Sequence, residues 1–233
     1  VRRARALRRG QGGRLSAPRI THYAWRGGRE AMLRFGPERG PVVAAILPLF
    51  EEGNRTRAAA IDVLRRLAAL GIGGALPDLP GTGESLVPTR AASLAGWRAA
   101  FAAAVEALNA PVFAMAWRGG ALIDGGAELA GRWRLSPMTG AEQYRELARI
   151  QRIGGGEGYA GNRLSPALLG ELDTAETPAA GALRVARLKE DPREAALYLP
   201  GRPLWRATEP GVDAVLQEAV ADDLAAWIAA CGG

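Results

Sequence analysis

Apolar positions along the chain switch between short continuous runs and stretches at helical spacing, and the switches outline its elements. Residues 20–25 and 30–35 read as two short strands joined by Arg26-Gly27-Gly28-Arg29, a glycine hairpin signal. Residues 41–47 form an unbroken apolar run rich in valine and isoleucine, the pattern of a strand buried on both faces. Ile61, Leu64, Leu67 and Leu70 then recur at helical spacing, with Asn54 as the expected cap and Gly71 as the stop. Residues 72–76 are the next strand, and Asp78-Leu79-Pro80-Gly81-Thr82-Gly83-Glu84-Ser85 is a turn-rich loop. An alanine-rich amphipathic helix over 93–108 leads to a strand at 112–116, and a helix is expected over about 119–130.

The second half is less regular. Residues 132–135 read as a strand, whereas 140–180 lose the rhythm and carry Gly154-Gly155-Gly156, so a helical insertion is expected there. Leu183–Leu188 is a late strand, 200–210 a loop and 212–230 a closing helix. Strands alternating with helices after an opening hairpin predict an α/β fold with a mainly parallel sheet and helices on both faces. Ligands in such folds sit at the carboxyl ends of the strands. Those ends supply residues 50–55, 78–85 and 117–120.

Charge changes this picture only at one end. The net charge is +6, but seven of the 30 basic residues (Arg2, Arg3, Arg5, Arg8, Arg9, Arg14 and Arg19) lie in an acid-free stretch over residues 1–19. The remaining 23 nearly balance 24 acidic residues, so no basic groove for nucleic acid is expected. The basic stretch has no apolar core after its arginine pairs and is expected to be a disordered tail, leaving 20–233 as one domain. No run reaches the roughly 18 apolar residues of a membrane span. The single cysteine, Cys231, excludes an internal disulfide and a cysteine metal cluster, so a cytoplasmic setting is expected. No cofactor or metal site is implied.

The strand at 112–116 runs into Trp117-Arg118-Gly119-Gly120, where Ala116 to Gly120 occupy the five positions of a G-x-S-x-G nucleophile elbow with arginine in the serine place. Asp78-Leu79-Pro80-Gly81-Thr82-Gly83-Glu84-Ser85 resembles the D-x-x-G-x-G-x-S loop of α/β-hydrolases. Pro48-Leu49-Phe50-Glu51-Glu52-Gly53-Asn54-Arg55 resembles the P-F-x-E-E-x-N-[KR] stretch of the second hydrolase-like group associated with the exosortase A system of Gram-negative bacteria. That group is similar in carrying arginine at the elbow, and further likeness lies in Gly158-Tyr159, in Leu164-Ser165-Pro166-Ala167-Leu168, and in Trp205 with Glu209. The resemblance spans about residues 30–230. It implies an α/β-hydrolase-like fold with a small helical cap near 140–180, and a genomic link to exopolysaccharide and protein-sorting loci without a defined reaction.

A guanidinium stays protonated at physiological pH and can neither attack a carbonyl nor accept a proton. The triad of this fold runs Ser…Asp/Glu…His along the chain. The one histidine, His22, precedes the first predicted strand, so nucleophile and base are both missing. Thr82, Ser85 and Ser136 offer hydroxyls near the expected cleft, with Glu51, Glu52, Asp78 and Asp124 as the candidate bases. Glu52 and Asp78 are therefore the candidate catalytic groups of any residual hydrolase, in which a carboxylate would activate water and Arg118 would polarise the substrate.

Two other readings of Arg118 remain open. As an anion receptor it would stand at a helix amino end, with Gly119 and Gly120 letting a ligand approach the backbone. As a structural residue it would pair with Glu51, Glu52 or Asp78 and lock the loops. The candidate binding residues are then Arg118, Trp117, Gly119, Glu51, Glu52, Asn54, Asp78 and Trp205. Three roles follow: a non-catalytic binder of a small anionic or sugar-derived ligand or of a partner protein, a carboxylate-driven hydrolase, and a purely structural interaction protein.

Overall fold

The computed structural model describes residues 17–154, 158–159 and 161–232. Its eight strands are β1 (Arg19–Trp25), β2 (Gly28–Phe35), β3 (Val42–Ile46), β4 (Gly73–Pro77), β5 (Val112–Trp117), β6 (Gly131–Leu135), β7 (Leu183–Leu188) and β8 (Leu197–Leu199). They form one sheet in the order β1-β2-β4-β3-β5-β6-β7-β8, antiparallel at the first two pairings and parallel thereafter. Among the described residues five α-helices accompany it: α1 (Glu51–Ala69), α2 (Leu94–Leu108), α3 (Gly140–Gly154), α4 (Pro166–Asp173) and α5 (Ala214–Ala230).

The central strands are apolar at every position because both faces of the sheet are covered, and alternate residues divide between two cores. Phe113, Met115 and Trp117 of β5 pack with α1 and α5, whereas Val112, Ala114 and Ala116 pack with α2, α3 and α4. In β6 the α1–α5 face takes Trp133 and Leu135, and the opposite face takes Arg132 and Arg134. Those two arginines stay buried because Asp124, also fully buried, pairs with both.

Helix boundaries follow local chemistry where a capping side chain exists. Ser93 accepts from the Gly96 amide to open α2, Ser165 from Leu168 to open α4, and Asp213 from Leu216 to open α5. Several expectations need correction. Asn54 is not a cap: α1 already begins at Glu51, after Phe50 at φ 57°, so Asn54 lies in its first turn. Glu51 and Glu52 there favour an uncapped start through the helix dipole.

No long helix follows the elbow. The chain makes two short 3-10 turns instead, Arg118–Leu122 and Asp124–Gly126, because Gly125, Gly126 and the burial of Asp124 interrupt helical spacing. β8 falls beside the expected loop and is too short, at three residues, to leave a periodic signal. Arg19 opens β1 by pairing with Arg34 and so belongs to the sheet, not to the tail. The expected tail over residues 1–16 and the Gly155-Gly156 part of the glycine run lie outside the described residues. Between β6 and β7 the described residues carry α3 and α4, which pack on one another. Among the described residues, no helix is long and apolar enough to cross a membrane.

Candidate functional site

The parallel strands β5, β6, β7 and β8 deliver four segments to one end of the sheet, and all four line a cleft of about 570 Å³. Arg118 comes from the end of β5, Ser136 from β6, Asp191 and Arg193 from β7, and Gly201 to Arg206 from beyond β8. Arg118 holds φ 55°, a left-handed conformation rare outside glycine. Ser136, on the neighbouring strand, holds φ 45°. Two such residues at adjacent strand ends are a concentration of backbone strain of the kind that collects at functional sites.

Arg118 is 7 % exposed and gripped from two directions. Its Nε donates to Glu52 Oε2 at 3.2 Å and its Nη2 to Glu52 Oε1 at 3.3 Å, a fork on a carboxylate at the start of α1. The Trp205 ring lies 5.0 Å from the guanidinium carbon, a cation–π contact. The remaining nitrogen, Nη1, makes no hydrogen bond among the described residues and is not sealed from solvent. The Ser136 hydroxyl has the opposite status: it is buried, lines the same cleft and has no hydrogen-bond partner.

The other expected partners of Arg118 are engaged elsewhere. Glu51 pairs with Arg55 at 3.5 Å, one turn along α1, and Asn54 donates to Glu51 at 3.4 Å. Asp78 accepts both Nη groups of Arg57 on Oδ1, at 3.2 and 3.1 Å, and the Glu84 amide on Oδ2. It thereby folds its own loop. Asn54 and Arg57 border a separate, mostly apolar cavity of about 270 Å³ beside Phe50 and Trp97. Trp117 is also not a lining residue: it is 1 % exposed and packs in the α1–α5 core. Of the expected site residues, the structure brings Arg118, Glu52 and Trp205 together, with Gly119 at the turn.

The two glycines are needed for the chain's own packing, which accounts for them without a ligand. A Cβ on Gly120 would stand 2.5 Å from the Leu47 carbonyl oxygen. One on Gly119 would fall 2.2 Å from Gln143 Oε1, whose side chain comes from α3. Gln143 is a contributor that residue type and spacing could not reveal, since its helix is an insertion far along the chain. Its buried Oε1 has no hydrogen-bond partner.

Asp191 was likewise missed, although an acid directly after the β7 run was a usable signal. It lines the cleft beyond the carboxyl end of β7, but it is saturated. Arg187 Nη1 donates to it at 3.0 Å, and Arg193 grips it through its amide, Nε and Nη2. These donors, Arg193 first, hold its carboxyl far below the usual aspartate range. It is an anion at all ordinary pH values and a poor base. Arg193 reaches on to Glu142 at 3.3 Å. Asp124, the remaining candidate base, is fully buried against Arg134 and Arg132 and does not line the cleft.

His22 sits exposed on the edge strand β1. Four strand spacings separate it from β5, about 19 Å, so it cannot serve the elbow. Among the described residues, no group of three or more His, Cys, Asp or Glu could hold a metal ion.

No family model and no curated protein matches this sequence. Solved structures do. The esterase Est1E from Butyrivibrio proteoclasticus aligns over 90% of this chain and 99% of its own, with TM-score 0.65 and 15% identity. A thermophilic esterase from Thermogutta terrifontis aligns over 91% and 99%, with TM-score 0.54 and 16% identity. The chain spans 48% of the epoxide hydrolase VrEH1 from Vigna radiata, over 61% of itself, with TM-score 0.46 and 18% identity. At these identities the likeness is one of fold, and the chain has the α/β-hydrolase fold.

Proposed function

We propose that this chain is a catalytically silent α/β-hydrolase-fold protein that holds a small anionic or sugar-derived ligand in the cleft over its elbow. The observation that supports the reading is Arg118, directly after β5, at φ 55° and committed to Glu52 through two nitrogens, where the sequence leads one to expect a nucleophile. The elbow geometry is kept while the group that fills it cannot attack a substrate. The resemblance to the exosortase-associated group supports an exopolysaccharide or protein-sorting context for that ligand.

The hydrolase alternative asks for a free carboxylate beside the elbow. Both oxygens of Glu52 accept from Arg118, and both of Asp78 accept from Arg57 or Glu84. Each carboxylate is thus committed to an arginine, and neither stands unpaired beside the elbow. The structural alternative has one observation in its favour, the Trp205–Arg118–Glu52 stack, which joins α1, β5 and the loop after β8.

A thermal-shift screen of the full chain against acidic sugars, neutral sugars and nucleotides separates the readings. Stabilisation by at least one of them, lost in the Arg118→Met/Glu52→Gln double variant, supports the ligand role. No shift with any of them, together with a melting temperature that depends on the pair, leaves only the structural role.

A further inference from the structure

The free donors of the cleft narrow the ligand class, on the premise that the cleft binds a ligand as proposed above. Each charged group facing it can be sorted by whether the protein already satisfies it. Glu52 is neutralised by Arg118, and Asp191 by Arg187 and Arg193. Arg202 donates to the Val212 carbonyl and has no carboxylate on its guanidinium. Arg206 forms no side-chain hydrogen bond or salt bridge among the described residues, and it lines both this cleft and the adjoining one beside Glu52. Against these stands one unpaired acid, Glu190, on the exposed rim.

Deeper in, the unsatisfied groups are Arg118 Nη1 and the Ser136 hydroxyl. They stand at the ends of neighbouring hydrogen-bonded strands, because Trp117 pairs with Leu135 in register and each residue comes next in its chain. A buried hydroxyl without a partner costs stability, as does a serine held at φ 45°. Nothing in the protein compensates Ser136 for either. A ligand oxygen accepting from Arg118 Nη1, and from Ser136 Oγ once that side chain turns into the cleft it lines, would.

We infer that Arg118 and Ser136 form a seat for a terminal oxyanion, a phosphate, sulfate or carboxylate group, with Arg206 and Arg202 drawing the same ligand from the rim. The ligand is therefore an acidic small molecule, not a neutral sugar. Glu52 is a positioning residue: it fixes two donors of the guanidinium so that the third points at the seat. The fork matters, since a planar guanidinium held by Glu52 through two nitrogens keeps the third in a fixed direction, which a freely rotating ammonium does not. Ser136 supplies the donor that tells an oxyanion from bulk chloride, through a directional bond to a charged oxygen.

The test is calorimetric titration of the full chain at low ionic strength with glucose 6-phosphate, glucuronate, inorganic phosphate and glucose. The acidic probes bind and glucose does not. Ser136→Gly removes the hydroxyl and also relieves the left-handed strain. It melts no lower than the parent, yet binds glucose 6-phosphate about tenfold more weakly, as expected for one hydrogen bond to a charged group. Arg118→Met/Glu52→Gln, which leaves no orphaned carboxylate, weakens it about a hundredfold. Acidic probes that bind equally well to parent and both variants place the anion elsewhere and overturn the seat. Glucose binding that is lost in the double variant, with no response to acidic probes, overturns the oxyanion but keeps the ligand cleft. No binding by any probe overturns both.

Discussion

Two buried arginine–carboxylate pairs flank β5 and β6, and their surroundings differ more than their chemistry. On the α2 side, Asp124 is fully buried and accepts from Arg134 Nη2 on both oxygens, at 2.9 and 3.1 Å. Arg134 and Arg132 direct further donors to the carbonyls of Pro178, Ala180, Asp124 and Ala127. That cluster stitches the turn after the elbow to the segment preceding β7. At the strand ends, Arg118 holds Glu52 through two nitrogens at the longer distances of 3.2 and 3.3 Å, and keeps one nitrogen open beside a cleft and an unsatisfied serine hydroxyl. Buried charge alone therefore does not mark a site. The Asp124 cluster also leaves the Nε of Arg132 and of Arg134 without a hydrogen bond, but sealed in the interior; a site is marked by an unanswered donor that borders a cleft.

Removing one partner tests the comparison most harshly. Asp124→Ala leaves two arginines buried without their carboxylate and should lower unfolding free energy by roughly 3–5 kcal/mol in a denaturant titration. The folded fraction should still bind acidic probes normally. Arg118→Met leaves a half-buried Glu52 without its partner and should cost about 2 kcal/mol, most of it recovered by adding Glu52→Gln. Anion binding should not recover. If it does, Arg118 is a clamp of the Asp124 kind.

The elbow glycines give a finer contrast. Gly120→Ala drives a methyl into the Leu47 carbonyl, which belongs to backbone and cannot swing aside, so about 2 kcal/mol should be lost. Gly119→Ala meets side chains, the end of Gln143 and more lightly Leu49, which can give way, and should cost less. Equal losses would mean that Gln143 is held as rigidly as the backbone.

Asp191 gives the smallest expected effect, and it depends on pH. Its carboxyl is depressed in the folded state below the unfolded value of about 3.9. The stability it contributes is present above that value and falls away as pH drops through the lower, folded one. Asp191→Asn should therefore lose stability at neutral pH and flatten the fall below about pH 4 relative to the parent. Curves that stay parallel from pH 7 to pH 2 would contradict the Arg187–Asp191–Arg193 assignment.

How far this arrangement was legible in the sequence depends on the kind of signal. Seven of the eight described strands and the mainly parallel sheet were readable, because burial on both faces leaves continuous apolar runs such as Val42–Ile46. The arginine at the elbow and the missing histidine were readable from position alone. The partner of Arg118 was not: Glu51, Glu52 and Asp78 were equivalent in sequence, and only the orientation of the first turn of α1 selects Glu52. The unexpected turns after Leu122 escaped because Asp124 is held by β6, a tertiary effect without local periodicity. Ser136 was visible as a hydroxyl, but its strain and its lack of a partner depend on β6 and β7 lying side by side. Gln143 reaches the elbow from α3, and no local pattern encodes that contact.

The claim that the elbow has exchanged catalysis for binding is tested most directly by p-nitrophenyl acetate turnover. The purified parent would be measured beside Glu52→Gln and Asp78→Asn. The account predicts the buffer rate for all three proteins. Turnover by the parent that disappears in either variant would show a carboxylate working as a base and would contradict it.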